Sequence, residues 1–244
     1  MLTPPDTYAV FLDVVGVSVN SKNLLQNIQL SFPDRGLVAV IGPNGAGKSS
    51  LLKTILGVLP CNTGKVYIQG RELGEWPANE LAKHWGYVAQ QANSDWDLYV
   101  EELLNINPAR KTPAYLSLPF ELGIFCHRRL NSLSGGEKAR VMLARAMLHQ
   151  PKLLMVDEAD AHLDLPYQRQ VMELLHAYSR DACVITILHD LTCAARYADL
   201  IVLMGQGCIE HIGSVEETLT SEKLTQAYDA PLEVISYAGN LFVR

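Results

Sequence analysis

The chain has 244 residues, 48% of them hydrophobic, enough for one large α/β domain with a buried core. Twenty basic against 26 acidic residues leave a formal net charge of −6, so a general nucleic-acid-binding role, which needs a basic surface, finds no support. The longest run free of Asp, Glu, Lys and Arg is 12 residues, Gly36 to Gly47, well short of the roughly 18 a membrane-spanning helix needs.

The start, Met1 to Asp6, has neither a basic cluster nor an apolar core, so no signal peptide is expected. The cysteines (Cys61, Cys126, Cys183, Cys193 and Cys208) are odd in number, scattered and without metal-type spacing, which points to reduced thiols. Both observations favour the cytosol.

Taken in chain order, Tyr8 to Val19 and Leu25 to Phe32 read as strands, the second with Ile28, Leu30 and Phe32 on one side. Leu37 to Ile41 is short, apolar and β-branched, as a parallel strand buried on both faces should be. It runs into Gly42-Pro43-Asn44-Gly45-Ala46-Gly47-Lys48-Ser49, the spacing of a phosphate-binding loop, and Leu51, Leu52, Ile55, Leu56 and Leu59 follow at helical spacing. Strand, glycine turn and helix in that order aim backbone N–H groups and the positive end of a helix dipole at one spot, where an anion is stabilised. In such a loop Lys48 reaches the outer phosphates and Ser49 ligates Mg²⁺.

Lys65 to Gln69 and Trp85 to Ala89 read as strands, with a helix at Ala78 to Lys83 between them and Gln90-Gln91 after them. From Ala92 to Leu133 the prolines Pro108, Pro113 and Pro119 leave only short helical patches such as Val100 to Leu104, which points to a small helical insert. A helix over Gly136 to His149, a buried strand Leu153 to Val156, a helix Tyr167 to Tyr178, a strand Cys183 to Leu188 ending at His189, and a helix Leu191 to Tyr197 come next. Gly205-Gln206-Gly207 then joins two further strands. Alternating strands and helices imply a parallel sheet with sites at the C-terminal ends of its strands.

Two groups beside the loop carry chemistry. Asp157 and Glu158 end a strand, where paired carboxylates can hold Mg²⁺ and position or deprotonate an attacking water. Leu133-Ser134-Gly135-Gly136-Glu137 opens a helix, so Ser134 can cap it while two residues without side chains let backbone N–H groups approach a second anion.

Together these residues resemble the ATP-binding cassette (ABC) family over nearly the whole chain. The match runs in order through a Walker A loop (Gly42 to Ser49), a Q-loop glutamine (Gln90), a signature (Leu133 to Glu137), Walker B (Leu153 to Glu158), a D-loop (Ala161-His162-Leu163-Asp164) and a switch histidine (His189). The resemblance implies a single domain over 1–244: an α/β phosphate-loop NTPase core of mostly parallel sheet (1–91 and 150–244), with an N-terminal antiparallel β part and a small helical subdomain carrying the signature helix (92–149). It implies ATP and Mg²⁺ as cofactors, with Glu158, His189 and Gln90 catalytic and Ser49, Gln90 and Asp157 at the metal. Gly42, Pro43, Asn44, Gly45, Ala46, Gly47, Lys48, Ser49, Ser50, Ser134, Gly135, Gly136 and Asp164 would surround the nucleotide. Two copies would pair head to tail, each Ser134-Gly135-Gly136 closing over the γ-phosphate held by the other copy's Lys48.

The sequence departs from that family pattern in three places. Val19 stands where the family offers an aromatic for adenine, Ala159 replaces the usual proline after Glu158, and Ala161 stands where Ser is common. The absence of membrane spans and of a second cassette resembles a separate importer subunit. Such a subunit would sit peripherally on the cytoplasmic face of the inner membrane, joined to permease subunits and indirectly to a substrate-binding protein, without nucleic acid. Glu80 to Lys83 leading into Tyr87 to Gln91, and Ser221 to Tyr228, resemble ATPases of iron-siderophore, haem and cobalamin importers. Zinc or manganese importers, and a soluble cassette of iron–sulfur cluster assembly, remain the alternatives. Asp95, Trp96, Leu98 and Tyr99, just after the Q-loop, mix aromatic, apolar and acidic character and are expected to dock the permease.

Overall fold

A computed structural model describes residues 8–90, 97–105, 121–158, 164–237 and 240–244. Strands β1 (Tyr8–Val19) and β2 (Lys22–Pro33) form an antiparallel hairpin whose two turn residues, Asn20 and Ser21, both take positive φ, as a tight two-residue turn requires. Then come β3 (Gly36–Ile41), α1 (Lys48–Ile55), β4 (Thr63–Ile68), β5 (Arg71–Glu72), α2 (Ala78–His84) and β6 (Trp85–Val88). After α3 (Val100–Leu104) and two single 3₁₀ turns follow α4 (Gly135–Met147), β7 (Leu153–Val156), α5 (Leu165–Tyr178), β8 (Cys183–Ile187) and α6 (Leu191–Tyr197). The chain ends with β9 (Leu200–Gly205), β10 (Cys208–Gly213), α7 (Val215–Thr218), α8 (Ser221–Tyr228) and a small hairpin, β11 (Val234–Tyr237) with β12 (Asn240–Val243).

The central sheet runs in the order β10-β9-β3-β8-β7-β6 and is parallel except for β10, while β2-β1-β4-β5 form a separate antiparallel sheet. β3 explains how these layers stack. Leu37, Ala39 and Ile41 point into a cluster with α4 and α5, and Val38 and Val40 into a cluster with α1 and the antiparallel sheet. All five are fully buried, so the continuous apolar run is used on both faces. The sequence changes character at Gly42 because the strand has there reached the edge of both cores.

Two sequence expectations shift. The helix after the phosphate loop stops at Ile55 rather than continuing through Leu56 and Leu59, because Gly57 (φ +73°) closes it. Val58 N–H bonds back to Lys53 O (2.9 Å) and Gly57 N–H to Thr54 O (3.0 Å), the paired bonds of a glycine helix stop. The strand expected at Lys65 to Gln69 lies at Thr63–Ile68, since its pairing with β1 ends where Gln69 and Gly70 turn with positive φ. Elements α7, α8, β11 and β12 were not expected from the sequence; α8 buries only Leu224 and β11 buries no residue, which leaves no periodic pattern. Of the expected insert, α3 falls on Val100–Leu104 as read, whereas Asp95 and Trp96 lie outside the described residues. Among the described residues no helix is long and apolar enough to cross a membrane.

Candidate active site

The loop between β3 and α1 is shaped by close backbone approach. Gly42 has φ +143°, and a Cβ there would fall 2.1 Å from Met204 O; at Gly47 (φ +99°) it would fall 2.8 Å from Leu24 O. Side chains are excluded at both positions. The Gly205–Gly207 turn braces the loop from behind: Gly207 N–H donates to Ala46 O (3.0 Å), and Gln26 N–H donates to Gly207 O (2.8 Å). Lys48 starts α1 and is 6% exposed, with Nζ donating to Gly42 O (2.7 Å) and Pro43 O (2.9 Å). An ammonium has three donors, so one remains for a ligand. Burial lowers the Lys48 pKa, an effect opposed by the charges of Glu158 and Asp157.

Both acidic groups directly follow β7. Asp157, the first residue after β7, is 3% exposed, and its Oδ1 accepts from Ser49 Oγ at 3.1 Å. Burial raises its pKa, with the Ser49 hydrogen bond pulling the other way. On β6, Tyr87 is pushed up to about 12, mainly by burial and further by Asp157, so this phenol stays protonated beside the carboxylate. Glu158 follows in the left-handed region (φ +61°), a conformation costly for a residue with a Cβ, and one that concentrates at functional sites. Its carboxylate accepts from Gln90 Nε2 at 2.6 Å and lies 2.9 Å from His189 Nε2, one oxygen for each partner. His189 is held at the end of β8 by the start of α6, where Asp190 Oδ1 accepts from the N–H groups of Thr192 (2.8 Å) and Cys193 (3.1 Å).

Of these residues, Lys48, Ser49, Glu158 and His189 border one cleft of about 450 Å³. Its walls are residues 44–50, Glu158 and His189, together with Lys22, Asn23 and Leu24 of β2 and the Gln206–Gly207 turn. The β2 residues and the turn have no motif of their own; their only sequence signal is Gly205-Gln206-Gly207. Val19 is 41% exposed at the end of β1, just before the β2 residues that line the cleft. The donor set suits Mg²⁺: a hydroxyl and a buried carboxylate within hydrogen-bond distance of each other are hard oxygen ligands.

Ser134, Gly135 and Gly136 are not in this cleft. They open α4, with Ser134 Oγ accepting from Glu137 N–H (3.3 Å) while Glu137 Oε2 accepts from Ser134 N–H (2.8 Å). Ser134 and Gly135 are exposed. Arg128 Nη1 donates to Glu137 Oε1 at 2.9 Å; the bond from Ser134 N–H and then that from Arg128 hold the Glu137 pKa down. Farther along α4 the buried Arg140 lies with its guanidinium 4.1 Å from the Tyr167 ring and 4.9 Å from the Phe125 ring, joining α4, α5 and the 3₁₀ turn at Leu122–Phe125. Asp164 is exposed at the N-terminal cap of α5; the rest of the expected D-loop, Ala161 to Leu163, lies outside the described residues.

The sequence model of the ABC transporter family matches residues 25–161. A hemin import ATP-binding protein HmuV of Escherichia coli O157:H7 is 34% identical, covering 91% of this chain and 93% of its own. The protein of that name from Shewanella denitrificans is 36% identical over 90% and 93%. Among solved structures, a chain described as part of an inward-facing ABC transporter of metal-chelate type superposes with a TM-score of 0.78 at 25% identity, covering 97% of this chain and 96% of that one.

Proposed function

The chain belongs to the ABC transporter family, whose ATPases bind and hydrolyse ATP, and from that premise we propose that it is the ATP-hydrolysing subunit of an importer for an iron-bearing chelate, haem foremost. One observation carries the catalytic half: Gln90 and His189 converge on the two oxygens of Glu158 at the mouth of the cleft that begins at Lys48. In this reading the loop N–H groups and Lys48 bind the phosphates, and Glu158, with lone pairs to spare beyond its two contacts, accepts the proton of the attacking water. His189 and Gln90 hold that carboxylate in place. Mg²⁺ bound by Ser49 and Asp157 would neutralise charge on the phosphates. The helix start at Ser134-Gly135-Gly136, exposed at Ser134 and Gly135, serves the nucleotide of a second copy, and Asp164 would contribute to the same nucleotide.

The cargo half rests on similarity to hemin import ATP-binding proteins and to the metal-chelate type transporter. The chain would act peripherally on the cytoplasmic face of the membrane, beneath separate permease subunits. Its whole length forms one functional domain, with the segment around α3 and α4 moving against the sheet. The test is co-purification with a membrane permease, followed by ATP-driven haemin accumulation in proteoliposomes. Uptake of zinc or manganese but not haemin would replace the cargo, and the absence of any membrane partner would favour a soluble assembly ATPase.

A further inference from the structure

We infer that the hydroxyl of Tyr228, the last residue of α8, is a positioning group for the nucleotide site that fixes the first residue of the phosphate-binding loop. Gly42 N–H donates to Tyr228 Oη at 3.0 Å, across 186 residues of chain. The need for that acceptor is local. β3 makes its last parallel pairing at Ile41 with Leu203, and Gly42 is buried just beyond it, so its N–H has left the ladder without reaching water. Lys48 Nζ holds the carbonyl of the same residue at 2.7 Å. Tyr228 and Lys48 therefore grip Gly42 at its N–H and C=O, and only Tyr228 is free of the ligand's demands on the ammonium.

The tyrosine is delivered by a helix built for placement. Thr220 caps α8 by accepting from Lys223 N–H, Leu224 is fully buried, and Asp229 at φ +50° turns the chain away immediately after Tyr228. Downstream, Val243 N–H donates to Thr192 Oγ1 at 3.4 Å, three residues after His189. The C-terminal segment thus reaches the rear of the site twice, once at the loop and once beside the histidine strand end. Burial keeps the phenol protonated and its oxygen a neutral acceptor, with the bond from Gly42 acting in the opposite direction.

This inference rests on the reading of Gly42 to Ser49 as the nucleotide loop. It is tested on the full chain by calorimetric titration with Mg-ATP of wild type, Tyr228→Phe, Thr225→Val and Lys48→Ala, with amide exchange followed at Gly42. Loss of one neutral hydrogen bond predicts that Tyr228→Phe weakens ATP binding about two- to tenfold and speeds Gly42 exchange. Thr225→Val removes the bonds between Thr225 Oγ1 and the Leu232 backbone, keeps the phenol, and is expected to leave both readouts unchanged. Unchanged affinity in Tyr228→Phe overturns the inference, as does an equal loss in Thr225→Val or a Gly42 amide that already exchanges freely in wild type. The wild-type exchange decides even if Tyr228→Phe does not fold. Loss of binding in Lys48→Ala alone leaves the loop reading standing and removes only the role of Tyr228; ATP binding that survives Lys48→Ala removes both.

Discussion

Two helices in this chain start beside glycines, yet their ends are secured in different ways. α1 has no side-chain cap: Gly47 precedes it with φ +99°, and the buried β3 before it and the buried Leu51, Leu52 and Ile55 within it fix its direction. α4 carries its own cap, the reciprocal Ser134–Glu137 pair, and leaves Ser134 and Gly135 exposed. The first helix start faces a cleft lined by its own chain, whereas the second faces outward and has one N–H already given to Glu137. One helix start is fixed by burial and the other by local hydrogen bonds, and in the proposed reading the two meet over one nucleotide only when a second copy pairs.

The largest effect is expected where the cleft performs chemistry. Glu158→Gln keeps the size of the side chain and removes the base, so Mg-ATP turnover should fall by about 10² to 10⁴, with nucleotide binding retained. Undiminished turnover would remove Glu158 from the reaction. The division between the two helix starts is probed next by mixing inactive chains. Ser134→Arg and Lys48→Ala should each be inactive alone. A mixture should regain about a quarter of wild-type turnover if random pairing leaves half the dimers with one intact site. No recovery would mean that the signature does not act across a dimer.

What the sequence made legible follows the same division. Walker A and the groups after β7 and β8 could be read because each follows a buried strand whose apolar run is plain, whereas Gln90, after the half-buried β6, was legible from its place in the family's motif order. The grip on Glu158 from both sides could not be read, since it depends on a positive φ at a residue that rarely takes one. Tyr228 was equally hidden: α8 has a single fully buried residue, Leu224, too little for a periodic pattern.

A smaller effect belongs to the joint behind α4. Arg140 is 7% exposed, and its Nε has no hydrogen-bond partner, so two aromatic faces are its main support among the described residues. Tyr167→Leu removes the closer ring and retains bulk; the loss of one such contact is about 0.5–2 kcal/mol. For a chain of this size that lowers the thermal midpoint by roughly 1 to 8 °C. Turnover should fall more than ATP affinity, because the change loosens α4 against α5 and leaves the cleft walls intact. Equal losses in both would place the sandwich in the core rather than in the joint.

The smallest effect is one of sign. Asp157→Asn keeps an oxygen for the Ser49 hydroxyl and deletes a buried charge. Burial holds the folded pKa of Asp157 above the ordinary 3.8, so the folded chain binds this proton more tightly than the unfolded one does. Wild-type stability therefore declines as pH rises from about 4 through the raised value, and the loss persists at neutral pH. The Asn variant has nothing to titrate there. Its thermal midpoint should match wild type near pH 4, move above it through the acid range and stay above it at pH 7. Mg-ATP should reverse the order, because bound ligand stabilises only the form it binds and Asn lacks the charge that holds the cation. A variant less stable than wild type at pH 7 without nucleotide would show that Asp157 supports the fold, and that the site's buried charge carries no cost for Mg²⁺ to offset.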